Sequence, residues 1–161
     1  MVKNNLLASG HERESTAALA RDARLTAALG PLRAFNSGQP FAFTADEGVW
    51  LDVDGLVLCE QMPLILLNAA KATPLVAHVA EVRTRCAMLE ALLREPSPGA
   101  GVTNWPDELN GYRNARVLPC LSGVYFAPDV QAAALAAGVV PVLWSGARFE
   151  VAPGATSLLP S

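Results

Sequence analysis

The sequence is poor in cysteine, in aromatic residues and in positive charge. Its 161 residues include 3 cysteines and 6% aromatic residues, and its formal net charge is −3. The three cysteines are widely spaced and form no C-x-x-C motif, which argues against a disulfide framework and against a structural zinc site. We therefore expect an intracellular protein, cytoplasmic or nuclear. The acidic balance provides no long-range attraction to nucleic acid.

Long apolar runs are also missing, although 52% of the residues are hydrophobic. Asp, Asn, Lys or Pro interrupts every run before the roughly 18 to 20 residues that a membrane-spanning helix needs. The first ten residues have too small an apolar centre for a secretion signal. We expect no membrane partner and one domain over residues 1–161, with a core from about residue 9 to residue 152.

What is present is an alternation of helical and extended patterns. A Ser-x-x-Glu capping box at Ser9 predicts a helix that ends at Leu29, before Gly30. A second helix, with apolar residues at three- and four-residue steps, follows Thr73-Pro74 and extends to about residue 94. Strands are predicted at residues 41–44, 49–59, 64–70, 116–126, 139–144 and 148–151, with a short helix from Pro128. This order predicts an α/β fold with a central mixed β-sheet flanked by helices.

Two aspartates interrupt the apolar strand predicted at residues 49–59. Asp52 and Asp54 are two residues apart, so both lie on one face of the strand. A carboxylate among apolar residues costs several kcal/mol unless a cation or hydrogen-bond donors satisfy it. Lys71, at the end of the next strand, is the nearest cation in sequence, and a divalent metal is the other candidate.

The element order and these residues resemble the restriction-endonuclease-like P-D-(D/E)-x-K nuclease superfamily, whose αβββαβ core is a helix, a three-stranded meander, a helix and a strand. Asp54 in LDVDGLVL matches the metal-binding aspartate, and LILLNAAKAT matches the strand that carries (D/E)-x-K. The segment GVYFAPDVQAAALAAGVVPVLWSGARFEV is similar to the terminal strand, helix and strand. The resemblance covers residues 12–151.

The resemblance implies hydrolysis of phosphodiester bonds with Mg²⁺ or Mn²⁺. Asp54 would bind the metal, Lys71 would assist the attacking water, and Glu12 or Glu14 would add a carboxylate from the first helix. The acidic position of the motif holds Ala69, with Asn68 beside it. Either the domain binds without cutting, or Asp52 replaces the missing ligand, or Ala69 is an introduced change.

The partner implied by the resemblance is nucleic acid, DNA or RNA, and a homodimer is compatible with it because many such nucleases need two sites. Phosphates would be contacted by Arg83, Arg85, Arg113 and Arg116. His78, on the second helix, is either structural or a groove residue. Within the loop predicted at residues 95–114, Trp105 and Tyr112 either stack on bases or attach the loop to the body of the domain.

Two other interpretations use the same residues. In a non-catalytic binding or interaction module, Asp52 and Asp54 cap the turn at Gly55, and Lys71 extends into solvent. LDVDGLVL also resembles the D-x-D-G motif of haloacid dehalogenase-like phosphatases, with Asp52 as nucleophile, Asp54 as acid and base, and Ser145 in a second motif. The short sequence after Ser145 leaves no room for the later motifs of that family.

Overall fold

The computed structural model describes residues 2–35, 41–43, 50–51, 55–96, 102–103 and 105–159. The helices are α1 (Val2–Arg21), α2 (Ala23–Leu29), α3 (Val76–Arg94) and α4 (Pro128–Ala136), with 3-10 helices at Asp107–Tyr112 and Pro153–Leu158. The strands are β1 (Leu32–Phe35), β2 (Phe41–Phe43), β3 (Trp50–Leu51), β4 (Gly55–Cys59), β5 (Leu64–Lys71), β6 (Val102–Thr103), β7 (Arg116–Gly123), β8 (Val140–Trp144) and β9 (Phe149–Val151). The predicted metal ligands Asp52 and Asp54 lie outside the described residues.

Six of these strands form the main sheet, in the order β1-β4-β5-β7-β8-β9. Strands β1, β4 and β5 are antiparallel neighbours, β5, β7 and β8 are parallel, and β9 returns antiparallel to β8. Parallel neighbours require a crossover connection, and α3 and α4 lie within the two crossovers. The predicted α/β fold with a mixed sheet and flanking helices is confirmed.

Each face of the main sheet contributes its side chains to a separate apolar cluster. In β4, Leu56 and Leu58 pack with the buried residues of α3, whereas Val57 and Cys59 pack with Leu19 of α1. This is the period-two alternation expected of a strand covered on both sides. The apolar stripe predicted on the second helix is buried on α3, at Val79, Val82, Cys86, Leu89 and Leu93.

The three antiparallel strands differ from those predicted. The first is β1, whereas residues 41–43 form β2, which pairs with β3 and β6 in a second, three-stranded sheet. Two described parts of the strand predicted at residues 49–59 pair in different sheets: β3 pairs with β2, whereas β4 pairs with β1 and β5. Both pieces are extended, as the apolar pattern predicts, but the pattern does not determine which strand each one pairs with.

The helix boundaries also correct the prediction. Helix α1 begins at Val2, so Ser9 lies inside the helix and is not its cap. At Asp22 the backbone is extended, and the carboxylate Oδ1 accepts a 2.9 Å hydrogen bond from the Leu25 N–H, which starts α2 as a separate helix. The predicted end at Leu29 is confirmed, with Gly30 at a positive φ of 81°.

The loop predicted at residues 95–114 contains β6 and the 3-10 helix Asp107–Tyr112. The Tyr112 hydroxyl donates a 2.7 Å hydrogen bond to the carbonyl oxygen of Cys59, and Trp105 Nε1 donates to Asn110 Oδ1 at 2.9 Å. Tyr112 therefore attaches this segment to β4, in agreement with the predicted role of holding the loop against the body of the domain. Among the helices within the described ranges, none combines the length and the apolar character of a membrane span.

Candidate functional site

Three of the predicted site residues, Glu12, Ala69 and Lys71, lie near one edge of the main sheet, where the parallel strands end. Lys71 ends β5 opposite Gly123 of β7, and Gly123 lies opposite Leu143 of β8. Because β4 is antiparallel to β5, its first residue, Gly55, lies at the same edge, opposite Asn68. We call this the carboxyl edge. In open α/β sheets, ligands bind outside the carboxyl ends of the strands.

A buried polar cluster joins α1 to β5 and β7 just inside this edge. Asn68 is 2% exposed, and its Nδ2 donates to Ser15 Oγ at 2.8 Å and to Thr16 Oγ1 at 3.1 Å. Its Oδ1 accepts a 2.5 Å hydrogen bond from Ser122 Oγ. We call Ser15, Thr16, Asn68 and Ser122 the polar bridge.

Every group of the polar bridge has a partner, which makes its role structural. The hydroxyls of Ser15 and Thr16 donate to the backbone carbonyls of His11 and Glu12 at 2.7 and 2.5 Å, so their oxygens accept from the Asn68 amide. This direction of donation fixes the orientation of the amide. Within the described ranges, no buried side-chain nitrogen or oxygen lacks a hydrogen bond. Asn68 therefore has no spare group with which to replace the acid missing at Ala69.

Glu12 is placed beside the residue that follows Asp54. A Cβ added at Gly55 would lie 2.6 Å from Thr16 Oγ1 and 3.2 Å from Glu12 Cγ, so α1 approaches β4 at a distance that only glycine permits. Glu14 is exposed and lines a cavity beside β8 and β9. The two glutamates are about 200° apart around the helix. Of the two predicted ligands, only Glu12 lies next to Gly55.

Ala69 and Lys71 belong to the opposite face of the sheet from Asn68. Ala69 is 5% exposed and packs with Leu67 and Val79 in the cluster under α3. Lys71 is partly exposed at the end of the strand. Glu12 and Lys71 thus approach the carboxyl edge from opposite faces and can act on one ligand only across the strand ends.

His78 has a structural role at the start of α3. Its Nδ1 accepts a 2.9 Å hydrogen bond from the Leu75 N–H, which satisfies one of the free donors at the helix terminus. Partial burial lowers the pKa of His78, and the positive charge of Lys71 lowers it further. The neutral imidazole that this hydrogen bond requires is therefore also the form that its surroundings favour.

The described residues do not assemble a metal centre or a reactive thiol. Across the described ranges, no group of three or more His, Cys, Asp and Glu side chains could hold a metal ion. Burial raises the pKa of Cys59 to about 11 and also raises the pKa of Cys86 and of Cys120. Because the thiolate is the reactive form, these cysteines are poor nucleophiles at neutral pH.

The four arginines predicted to contact phosphates do not converge. Arg116 begins β7 opposite Leu64, at the far end of the eight-residue strand β5, roughly 23 Å from the register position of Lys71. Arg113 lies three residues before it. Arg83 and Arg85 lie on α3, and the charge of Arg85 contributes to the lowered pKa of His78 at the start of that helix.

A cluster of other arginines lies between α1 and the β8–β9 hairpin and was not predicted. Two adjoining cavities of about 570 and 420 Å³ share Arg21, Trp144, Arg148 and Phe149 among their lining residues. Arg24 lines the larger cavity and Arg13 the smaller. We call this surface, with Arg13, Arg21, Arg24, Arg148 and Trp144, the arginine groove. The helical positions are visible in the sequence, but only the folded hairpin brings Arg148 to them.

The phosphatase interpretation has less support from the strand positions. Gly55 of LDVDG begins β4, and Ser145 follows β8, three strand spacings away, or about 14 Å. The Ser145 hydroxyl donates to the Arg148 carbonyl at 2.9 Å, within the hairpin turn.

No protein-family model, curated protein or solved structure matches the chain.

Proposed function

We propose that the chain is a nuclease-like domain that binds nucleic acid at the carboxyl edge, with phosphodiester hydrolysis weakened or lost because Ala69 replaces an acidic ligand. The observation that carries the proposal is the succession of elements: a helix, three antiparallel neighbours, a helix and a parallel strand, in spatial order β1-β4-β5-β7. With β2 and β3 set aside in the second sheet, this succession supports the restriction-endonuclease-like resemblance.

The chemistry of the carboxyl edge suits a phosphate-bearing ligand. Lys71 supplies a cation at the end of β5. Tyr125 is 71% exposed, and its N–H donates to the carbonyl of Ala72 at 3.0 Å, which places it beside the residue that follows Lys71. A cation next to an exposed aromatic ring offers contacts for a phosphate and for a base.

The carboxyl edge supplies few ligands for a divalent metal ion. A hard divalent cation usually takes several oxygen ligands at once. Of the predicted carboxylate ligands within the described ranges, Glu12 lies at this edge, beside Gly55, and Ala69 offers no carboxylate. These residues do not fit a complete Mg²⁺ or Mn²⁺ site, so binding of nucleic acid, rather than its cleavage, is the activity we expect first.

A non-catalytic interaction module is the second candidate, and one observation favours it. Leu75, Val76 and Tyr125 are 54%, 57% and 71% exposed near this edge. A group of exposed apolar side chains is a feature of protein interaction sites. A protein ligand would bury Leu75 and Val76, whereas a nucleic acid would depend on Lys71 and Tyr125.

Equilibrium binding to labelled single- and double-stranded oligonucleotides, followed by a cleavage assay with Mg²⁺ and Mn²⁺, tests the proposal. We expect Lys71→Ala and Tyr125→Ala each to weaken binding about 5- to 100-fold. Arg94→Ala, at the opposite end of α3, is the matched control and should bind normally. If Lys71→Ala and Tyr125→Ala bind as tightly as the wild-type chain, the carboxyl edge is not the binding site.

The variant Ala69→Glu separates a degenerate nuclease from a binding domain. A gain of metal-dependent cleavage in this variant would identify Ala69 as the missing ligand position. Because Ala69 is packed under α3, the fold of the variant must first be verified by circular dichroism. A folded variant that neither binds metal nor cuts would leave binding as the only activity.

A further inference from the structure

We propose that the arginine groove binds single-stranded nucleic acid, with its arginines on the phosphates and Trp144 against a base. The inference depends on the proposed function for its class of ligand, but it concerns a different surface. It assigns the path by which a strand reaches the carboxyl edge.

The arginines of the groove have two different roles. Arg24 Nη2 donates to the Val151 carbonyl at 2.7 Å and lies 3.6 Å from Asp22 Oδ2, so it is fixed within the structure. Arg148 Nε lies 2.9 Å from Glu150 Oε1, so its charge is partly offset. These two residues shape the groove more than they supply free charge.

Arg13 and Arg21 supply the free charge. Both are exposed, and neither forms an ion pair with any residue in the described ranges. The two cavities are lined by four arginines and by the three acids Glu14, Asp22 and Glu150, which gives a local charge of +1 on a chain with a net charge of −3. An anion is therefore attracted to this surface by local charge and not by the charge of the whole chain.

Trp144 adds an aromatic contact at the centre of the groove. Its ring makes an edge contact with Phe149 at a centroid distance of 5.1 Å, and Phe149 makes a similar contact with His11 at 5.9 Å. These contacts hold the indole at the end of β8, where it lines both cavities. A positive groove with an aromatic ring is the arrangement by which proteins bind single strands without sequence preference. Cavities of about 570 and 420 Å³ have room for nucleotide units.

The groove also leads to the carboxyl edge. Trp144 ends β8, and β8 is two strand spacings from β5, or about 10 Å. The end of β7 lies between them, and Tyr125 follows it. A strand whose base contacts Trp144 can therefore extend past Tyr125 to Lys71.

Fluorescence anisotropy with labelled oligo(dT) and oligo(U) of about 12 nucleotides, without divalent metal and over a series of salt concentrations, tests the inference. The double variant Arg13→Gln with Arg21→Gln should weaken binding at least about tenfold and reduce the slope of log Kd against log salt by about 1.4. Arg33→Gln with Arg94→Gln removes the same charge from exposed positions on β1 and α3, outside the groove, and should leave both quantities unchanged.

Replacement of Trp144 separates base contact from charge. Trp144→Leu should weaken binding about 5- to 100-fold without changing the salt slope. If this variant binds normally while the Arg13 and Arg21 variant does not, the groove is a general anion site, and an acidic peptide should then compete as well as the oligonucleotide. That result would overturn the inference, as would equal losses in the two double arginine variants.

The outcome also distinguishes this inference from the proposed function. Normal binding by the groove variants, with losses in Lys71→Ala and Tyr125→Ala, would overturn the groove alone. The reverse pattern would overturn the carboxyl-edge site and leave the groove as the binding surface. A wild-type chain that binds no oligonucleotide at low salt would overturn both.

Discussion

The two faces of the main sheet use different chemistry to hold their helices. The α3 face is closed by apolar side chains such as Val82 and Leu89, both 0% exposed. The α1 face has an apolar cluster as well, but the polar bridge crosses it near the carboxyl edge, and the arginine groove lies beside it. Apolar packing tolerates many arrangements, whereas hydrogen-bonded groups permit few. Apolar burial therefore stabilises both faces, and on the α1 face the polar bridge also fixes where α1, with Glu12, lies against the sheet.

The largest loss of stability should follow from a substitution in the apolar cluster between α3 and the sheet. Leu89→Ala removes a fully buried side chain between α3 and the sheet and should lower the free energy of unfolding by about 2–5 kcal/mol. Urea denaturation measures this change. Leu75→Ala, at a side chain that is 54% exposed, is the matched control and should change the free energy of unfolding by less than about 0.5 kcal/mol.

A substitution in the polar bridge should lower the free energy of unfolding nearly as much, because it leaves buried hydrogen-bonding groups without partners. Asn68→Leu leaves Ser122 and the two hydroxyls of α1 without their amide partner, and should cost about 2–3 kcal/mol of unfolding free energy. Because Ser122→Ala removes one of the orphaned groups, the double variant should cost less than the sum of the single changes. Strictly additive losses would show that the polar bridge is not a unit.

A smaller effect should follow from the close approach of α1 to β4. Gly55→Ala places a Cβ against Thr16 Oγ1 and should cost about 1–3 kcal/mol of unfolding free energy. A Cβ at Gly111 would meet nothing within 4 Å, so Gly111→Ala is the control, and it should have little effect. Equal changes in the two variants would mean that contact with α1 does not explain the loss at Gly55.

The smallest effect should be a pH dependence that arises at the start of α3. The pKa of His78 is lowered from its ordinary value of 6.5 by burial, by Lys71 and by Arg85, against an opposing effect of Glu81. Below about pH 6.5 the unfolded chain binds more protons at His78 than the folded chain, so stability is complete above this pH and falls as the pH decreases through that window.

Thermal melts between pH 7.5 and about pH 5.5 measure this dependence. His78→Gln should have a smaller decrease in Tm over that interval than the wild-type chain. A decrease of the same size in both proteins would assign the effect to other groups.

Local patterns in the sequence were sufficient to predict the helices and strands whose packing partners are close in the chain or wholly apolar. The stripe on α3 and the strand, helix and strand from β7 to β8 follow from periodicity and from Pro128 at a helix start. The break at Asp22 was missed because the helical pattern continues on both sides of it, although aspartate is a common cap.

The candidate site was less predictable because it depends on distant pairing. Hydrogen-bond partners elsewhere in the chain determine that β3 and β4 belong to two different sheets. The arginine groove requires Arg148 to lie against a helix at the other end of the sequence. Asn68 looked like a neighbour of the missing acid, and only the structure shows that its amide is fully used by the polar bridge.

The polar bridge has a further consequence during synthesis of the chain. The hydrogen bond between Asn68 and Ser122 cannot form until Ser122, which is 54 residues later in the sequence, has been synthesised. At about 5–20 residues per second on the ribosome, this interval is roughly 3–10 seconds. During that time β5, with the apolar sequence LILL, has β4 on one side and an unpaired edge on the other. An exposed apolar edge can pair with another chain, so we expect the nascent protein to be most vulnerable to aggregation before β7 emerges.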